Sequence, residues 1–349
     1  MKRKNTKSIK IGSLFVGGPN PVMIQSMTNT DTRNIDDTVN QILHLEKAGC
    51  QLVRVAVPNE EAARSIGLIK RRVHIPIAAD IHFDYKLALL SMEQGVDKLR
   101  INPGNIGDVD RIKQVVDMAK EKQIPIRIGV NAGSLDQKLL LKYGGPTAPA
   151  LVESAMEHVD ILEKLHFDQI ILSLKSSHLQ TMIEAYREMA RRVTYPLHLG
   201  VTEAGGLKQG VITSAIGIGA LLIDGIGDTI RVSLTADPVK EIEVAKQILR
   251  ATGLLNDRVR VVSCPTCGRC QINLIQLAEM IEAHLENINK NITVAIMGCA
   301  VNGPGEAREA DIGIAGGKGS ALLFKKGKII RKIAEENLVN ELINEINQM

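Results

Sequence analysis

Hydrophobic positions in the first two-thirds of the chain come in short blocks separated by longer amphipathic stretches. Eight blocks are rich in β-branched and apolar residues: Val22–Met27, Leu52–Val57, Ile75–Ala79, Lys98–Asn102, Ile126–Asn131, Gln169–Lys175, Leu197–Thr202 and Thr229–Leu234. Most end in polar residues or glycine and lead into a segment with helical spacing, for example Asp36–Ala48, Glu60–Arg71, Asp108–Glu121, His178–Arg192 and Pro238–Ala251. Strand–helix alternation of this kind predicts a parallel sheet. Eight repeats over about 250 residues match a closed (β/α)8 TIM-like barrel, with an open doubly wound sheet as the alternative. Ile9–Gly18 reads as a short hairpin ahead of the first repeat. The pattern breaks around Leu254–Arg258, so the expected domains are 1–254, a barrel, and 255–349, a small α+β domain with an amphipathic helix at about Ala334–Ile346.

The strands carry an anomaly. Parallel strands buried on both faces are expected to be almost wholly apolar, yet Arg54, Arg100, Arg127 and Arg231 each sit inside one. A buried guanidinium without an anion is costly. Asp80, Asp97 and Asp228 are possible internal partners, but four arginines on separate strands point more simply to one shared anionic ligand, since the guanidinium fork suits phosphate oxygens. Other polar residues fall near strand C-terminal ends, where barrel active sites are built: Asp80 and His82, Asn102, Asn131, Lys175, Thr202 and Glu203, and Ser233. Glu203 is the candidate proton donor of such a basic pocket. The glycine runs at 216–219 and 225–227 fit neither the dinucleotide nor the P-loop pattern and read as packing and turns.

Four of the five cysteines lie in the second domain: Cys264, Cys267, Cys270 and Cys299. A Cys-x-x-Cys loop with Pro265 and Gly268, followed by a glycine-rich segment around Cys299, reads as an iron–sulfur site. A structural zinc site usually shows two knuckles or nearby histidine; it and simple redox thiols remain the alternatives. An odd cysteine count in a long chain argues against a disulfide scaffold, and the basic N-terminus leads to no apolar signal core, so a reducing, cytoplasmic setting is expected. The net charge is only +4, with no Trp, four Tyr and four Phe, which makes nucleic acid a poor partner. No apolar run is long enough to span a membrane.

Several longer motifs carry a resemblance. Met-Ile-Gln-Ser-Met-Thr-Asn-Thr-Asp-Thr (23–32), Arg-Ile-Asn-Pro-Gly-Asn (100–105), Gly-Val-Thr-Glu-Ala-Gly (200–205), Gly-Ile-Gly-Asp-Thr-Ile-Arg-Val-Ser-Leu-Thr (225–235), Ser-Cys-Pro-Thr-Cys-Gly-Arg (263–269) and Met-Gly-Cys-Ala-Val-Asn-Gly-Pro-Gly-Glu (297–306) resemble the 4-hydroxy-3-methylbut-2-enyl diphosphate synthases of the non-mevalonate isoprenoid pathway, in their two-domain bacterial form. The resemblance implies a [4Fe-4S] cluster held by Cys264, Cys267, Cys299 and Glu306. It implies reductive ring opening and dehydration of 2-C-methyl-D-erythritol 2,4-cyclodiphosphate, with two electrons from flavodoxin or ferredoxin. The diphosphate would be bound by Arg54, Arg100, Arg127, Lys175 and Arg231 with Asn102, Asn131 and Ser233, beside Asp80 and His82, and Glu203 would protonate the departing hydroxyl. Cys270 departs from the family pattern and is expected to start the following helix.

Two rivals from other classes are a pterin- or corrinoid-binding barrel enzyme and a non-catalytic iron–sulfur electron carrier. The first has no use for the cysteines, and the second no use for arginines inside a barrel. One further expectation concerns assembly. The helix after strand eight brings the chain back to the N-terminal face of the barrel, and the connection to the second domain is short. A head-to-tail homodimer, in which each barrel mouth is closed by the partner's cluster domain, follows from this and from the resemblance.

Overall fold

The computed structural model describes residues 2–286, 288–299 and 307–349. The chain divides into two compact units, Met1–Leu254 and Leu255–Met349.

In the first unit eight parallel strands, β3 (Met23–Met27), β4 (Leu52–Ala56), β5 (Ile77–Asp80), β6 (Lys98–Ile101), β7 (Ile126–Asn131), β8 (Ile170–Lys175), β9 (His198–Leu199) and β10 (Thr229–Ile230), pair in the order β8-β7-β6-β5-β4-β3-β10-β9. A parallel bridge between Leu172 and Leu197 joins the two ends and closes the barrel. The expected open-sheet alternative is thereby set aside. Helices α1 (Ile35–Ala48), α2 (Glu60–Lys70), α3 (Tyr85–Glu93), α4 (Pro103–Ile106), α5 (Val109–Glu121), α6 (Gln137–Tyr143), α7 (Ala148–Lys164), α8 (Leu179–Arg192), α9 (Leu207–Ile223) and α10 (Pro238–Ala251) connect them. Their starts are encoded locally. Asn34, Asn59, Asp108 and Thr147 each accept a backbone N–H of the first turn, and acidic residues in the first turns of α1 and α2 complement the helix dipole.

Strands β9 and β10 are only two residues long, where the hydrophobic pattern predicts six. Gly200, just past β9, has Lys175 Nζ 2.9 Å and the Arg231 carbonyl oxygen 2.8 Å from where a Cβ would stand.

The hairpin of β1 (Ile9–Ile11) and β2 (Leu14–Val16) is present as expected, and it plugs one end of the barrel. Ile9, Ile11 and Val16 pack in one buried cluster with Met23, Leu52, Ala78 and Ile171, which lie on four barrel strands. That end is sealed by apolar side chains while the opposite end is polar.

The second unit holds a sheet ordered β11 (Arg260–Ser263), β12 (Thr293–Met297), β13 (Ile312–Gly317), β14 (Ser320–Lys325), β15 (Lys328–Ala334), parallel over the first three strands and antiparallel thereafter. Helices α11 (Leu274–Leu285) and α12 (Leu338–Asn347) cover one face, burying Ile281, Leu285, Leu342 and Ile346 against Val294, Ile296, Ile312 and Ile314. Two expectations need correction. Helix α11 begins at Leu274 rather than at Cys270, because Cys270 closes a turn, its N–H donating to the Cys267 carbonyl at 3.0 Å. The residues around Ala334 finish strand β15, and the last helix starts at Leu338.

Replacing Ile11 by Ala removes a fully buried side chain from the plug. Urea unfolding of Ile11→Ala should show a loss of about 2–5 kcal/mol, the usual cost of a core cavity of this size. A loss below 1 kcal/mol would mean the hairpin is not part of the cooperative core.

Candidate functional site

Side chains facing into a parallel barrel come from every second residue of each strand. On β6 and β7 that set is Lys98 and Arg100, then Arg127, Gly129 and Asn131, so these two strands turn mainly polar side chains inward where branched apolar residues usually fill the layers. The polar residues converge on a cavity of about 170 Å3 lined by Arg54, Asp80, His82, Arg100, Arg127, Gly129, Asn131, Ser173, Lys175, Thr202, Arg231 and Ser233. Asp80, Asn131 and Lys175 are the last residues of their strands, which sets the cavity at the C-terminal mouth.

Long side chains need room, and glycine supplies it. A Cβ on Gly129 would stand 2.7 Å from Arg100 Nε, so the guanidinium of β6 lies across the backbone of β7. Gly200 makes the same allowance for Lys175.

Five lining side chains are cationic and one, Asp80, is a carboxylate. Asp80 meets Arg100 Nη1 at 3.0 Å, Arg54 Nε at 3.5 Å and His82 Nε2 at 3.5 Å. Burial would raise its pKa, but Arg54, the His82 hydrogen bond and Arg100 outweigh this and hold it well below the usual carboxylate range. Desolvation, partly opposed by Asp80, brings Arg54 down to about 10, which leaves it charged at neutral pH. Arg231 Nη2 has a second, more distant carboxylate, Glu241 at 3.4 Å, and Glu241 is itself held by Ser26 Oγ and the Leu234 N–H.

Arg127 has neither. It is 1% exposed, and its Nε and Nη1 have no acceptor among the described residues. Burial first, then Arg54 and Arg100, depress its pKa. Nε of Arg100 and of Arg231 are also unpartnered. Such donors inside a protein call for an acceptor from outside it. Lys175, again buried, is lowered well below the ordinary lysine value by desolvation and then by Arg231, Arg127, Arg54 and Arg100. The other two proposed internal partners are committed elsewhere: Asp97 pairs with Lys70 at 2.6 Å, and Asp228 with Arg3 at 3.0 Å, Thr6 and the Leu197 N–H.

Of the residues singled out in the sequence, Asn102 and Glu203 do not line the cavity. The Asn102 side chain caps α4, accepting the Gly104 N–H at 3.2 Å. Glu203 is exposed, next to Thr202, with φ +55 in the left-handed region. Strained backbone of this kind clusters at functional loops. Interior residues escaped the sequence reading too, Lys98 and His198 among them. Lys98 is fully buried with Nζ on Gln25 Oε1 at 3.0 Å, and its pKa is pushed well down by burial and then Arg127 and Arg54. His198, also fully buried, has Nδ1 2.6 Å from Thr229 Oγ1 and an unpartnered Nε2; burial, then Arg127 and Lys175, keeps it neutral. The alternation of β6 was the available signal for Lys98, since it lies two residues before Arg100.

In the second unit Cys264 follows β11 and Cys299 follows β12, two strands paired in parallel. Gly298 stands between sulfurs: its N–H donates to Cys264 Sγ at 3.1 Å, and a Cβ on it would lie 2.6 Å from Cys270 Sγ. Cys267 is exposed, its thiol pKa lowered by the backbone N–H and side chain of Arg269. Cys270 Sγ lies 3.2 Å from the Ile272 carbonyl, to which it donates. Glu306 lies outside the described residues, and among the described residues no three His, Cys, Asp or Glu side chains group to hold a metal ion. Thiols at adjacent strand ends, one already taking a backbone N–H, are nonetheless the donor chemistry an iron–sulfur group requires. No described helix is long and apolar enough to cross a membrane.

The chain matches the GcpE TIM-barrel domain over residues 6–246 and the GcpE protein C-terminal domain over residues 260–348. It is 59% identical over 349 residues to the 4-hydroxy-3-methylbut-2-en-1-yl diphosphate synthase (flavodoxin) of Ruminiclostridium cellulolyticum, covering 100% of this chain and 99% of that protein. The protein of the same name from Clostridium perfringens is 59% identical over 343 residues, covering 98% of each. Among solved structures, 3-dehydroquinate dehydratase from Geobacillus kaustophilus (15% identity, TM-score 0.51) covers 72% of this chain and 99% of its own. Dihydropteroate synthase from Yersinia pestis (12% identity, TM-score 0.50) covers 70% and 98%. At such identities the likeness is one of fold alone.

Gly129→Ala should push Arg100 out of its place. Titration with inorganic pyrophosphate should show binding weakened about tenfold or more, the loss of one charge-assisted hydrogen bond. Unchanged affinity would remove Arg100 from the anion site.

Proposed function

The chain belongs to the GcpE family, and we propose that it catalyses the reductive ring opening and dehydration of 2-C-methyl-D-erythritol 2,4-cyclodiphosphate to 4-hydroxy-3-methylbut-2-enyl diphosphate, with flavodoxin as electron donor. Two electrons and two protons enter and one water leaves. The observation that carries the reading is a barrel mouth with five basic side chains, four of them arginines, against one carboxylate, in a chain that matches synthases of this name over its whole length. A cyclic diphosphate supplies the missing negative charge.

In this reading Arg54, Arg100, Arg127, Lys175 and Arg231 hold the two phosphates, and Asn131 and Ser233 add neutral hydrogen bonds. Asp80 keeps Arg54 and Arg100 aligned between turnovers, with His82 beside it at the cavity. Asn102 acts at one remove, by fixing the loop at the start of α4. The orphaned guanidinium atoms are the donors that the phosphates satisfy, so orientation costs little reorganisation. Glu203 stands ready beside Thr202 to protonate the departing hydroxyl, moving in with its loop when substrate fills the mouth. The cavity carries no Phe, Tyr or Trp, which disfavours a pterin ligand.

Cys264, Cys267, Cys299 and Glu306 are the proposed holders of a [4Fe-4S] cluster, which when bound supplies one-electron reduction. Cys270 stays a thiol, donating to its own loop. The barrel unit ends after α10, which runs back from the cavity end, so we further propose a head-to-tail homodimer in which the partner chain's second unit closes each mouth.

Two measurements test this. Iron and sulfide analysis after anaerobic preparation should find Cys264→Ser empty and Cys270→Ser fully loaded; equal loss in both would displace Glu306 as fourth ligand. Mixing Glu203→Gln with Cys264→Ser chains, each inactive alone, should restore part of the turnover once subunits exchange. Proven exchange with no recovered activity would exclude sites shared between chains.

A further inference from the structure

The barrel interior has more positive groups than its cavity needs. Lys98 lies among them without lining the cavity, at 0% exposure, and among the described residues its one acceptor is the neutral Gln25 Oε1. An ammonium has three donors to satisfy. The charged neighbours that act on Lys98 are Arg127 of β7 and Arg54 of β4, both cationic, and neutral His198 of β9 is near it. Lys175 is in the same position at the end of β8. It has no carboxylate partner among the described residues, and Arg231, Arg127, Arg54 and Arg100 act on it. The carboxylates that reach the barrel's arginines, Asp80 from inside and Glu241 from helix α10, are both engaged by them, and buried Asp228 is paired with Arg3.

Arginine does not give up its proton in a protein, whereas a buried lysine does so readily. When like charges crowd a closed interior, the lysines are therefore the members that yield. We propose that Lys98 and Lys175 stand uncharged in the ligand-free barrel and take up protons when the diphosphate enters, so that ligand charge is matched by protons drawn from solvent. Lys98 is then a positioning residue: it does not touch the ligand but adds positive charge behind Arg127 once the site is filled. This rests on the diphosphate reading of the cavity.

The direction of the pH dependence follows. A lysine whose affinity for protons is lower in the free than in the bound protein takes up a proton on binding at any pH between the two values. Binding must weaken as pH rises through that window, about tenfold per pH unit for each proton taken up. The ligand itself adds nothing, because each phosphorus of a cyclic diphosphate keeps one acidic oxygen, ionised throughout the neutral range.

The test is calorimetric titration of the anaerobic holoenzyme with the cyclic diphosphate, without reductant, in two buffers of different ionisation enthalpy. The heats should differ by one to two protons taken up per site. Lys98→Met, which keeps the volume but cannot titrate, and Lys175→Arg, which stays charged, should each still bind with a smaller uptake. Equal heats in both buffers would overturn the proposal while leaving the diphosphate site standing. Uptake undiminished in both variants would overturn the assignment to these lysines. Failure of the wild-type protein to bind at all would overturn the diphosphate reading and this inference with it.

Discussion

Positive charge enclosed without enough negative charge is the constraint around which the barrel is arranged. Arg54, Arg100, Arg127, Lys175 and Arg231 share one small cavity with Asp80, and Lys98 lies in the same interior. A closed barrel wall prevents these groups from reaching bulk water, so their mutual repulsion is relieved only by a carboxylate, by loss of a proton, or by a ligand. Asp80 takes the first role for Arg54 and Arg100, and Glu241 for Arg231. Arg127 has none. In the proposed reading a polyanion supplies what Arg127 lacks.

That arrangement asks for support elsewhere, and the fold provides it at the opposite end. The β1–β2 hairpin drives Ile9, Ile11 and Val16 into the barrel floor, an apolar seal where the mouth is all polar. Between the two, Gly129 and Gly200 replace the branched side chains that would normally fill the layers, giving Arg100 and Lys175 room to lie across the axis.

The second unit uses strand ends in a similar way for a softer chemistry. Parallel pairing of β11 and β12 sets Cys264 and Cys299 at neighbouring exits, and Gly298 lets its N–H reach a sulfur. In both units a rigid parallel sheet positions these side chains: Asp80, Asn131 and Lys175 end their strands in the barrel, and Cys264 directly follows β11.

Much of this was legible in the order of residues alone. Apolar runs with period two, helical runs between them and arginines inside the strands depend only on local chemistry, so they survive as patterns in one dimension. The sequence by itself therefore determined the barrel, and it showed basic residues inside the strands and cysteines gathered in the last third of the chain. Which acid meets which base was not legible. Asp80, Asp97 and Asp228 look equivalent along the chain, yet only Asp80 points into the cavity, and Glu241 reaches Arg231 from a helix outside the barrel. Lys98 and His198 read as ordinary strand residues until closure of the barrel faced them inward. Asn102 looked like a ligand group and became a helix cap, because the backbone turns one residue before the cavity. Only the tertiary structure decided these matters, since pairing between charges depends on distance across the barrel, and residues far apart in sequence become neighbours only when the first and last strands meet.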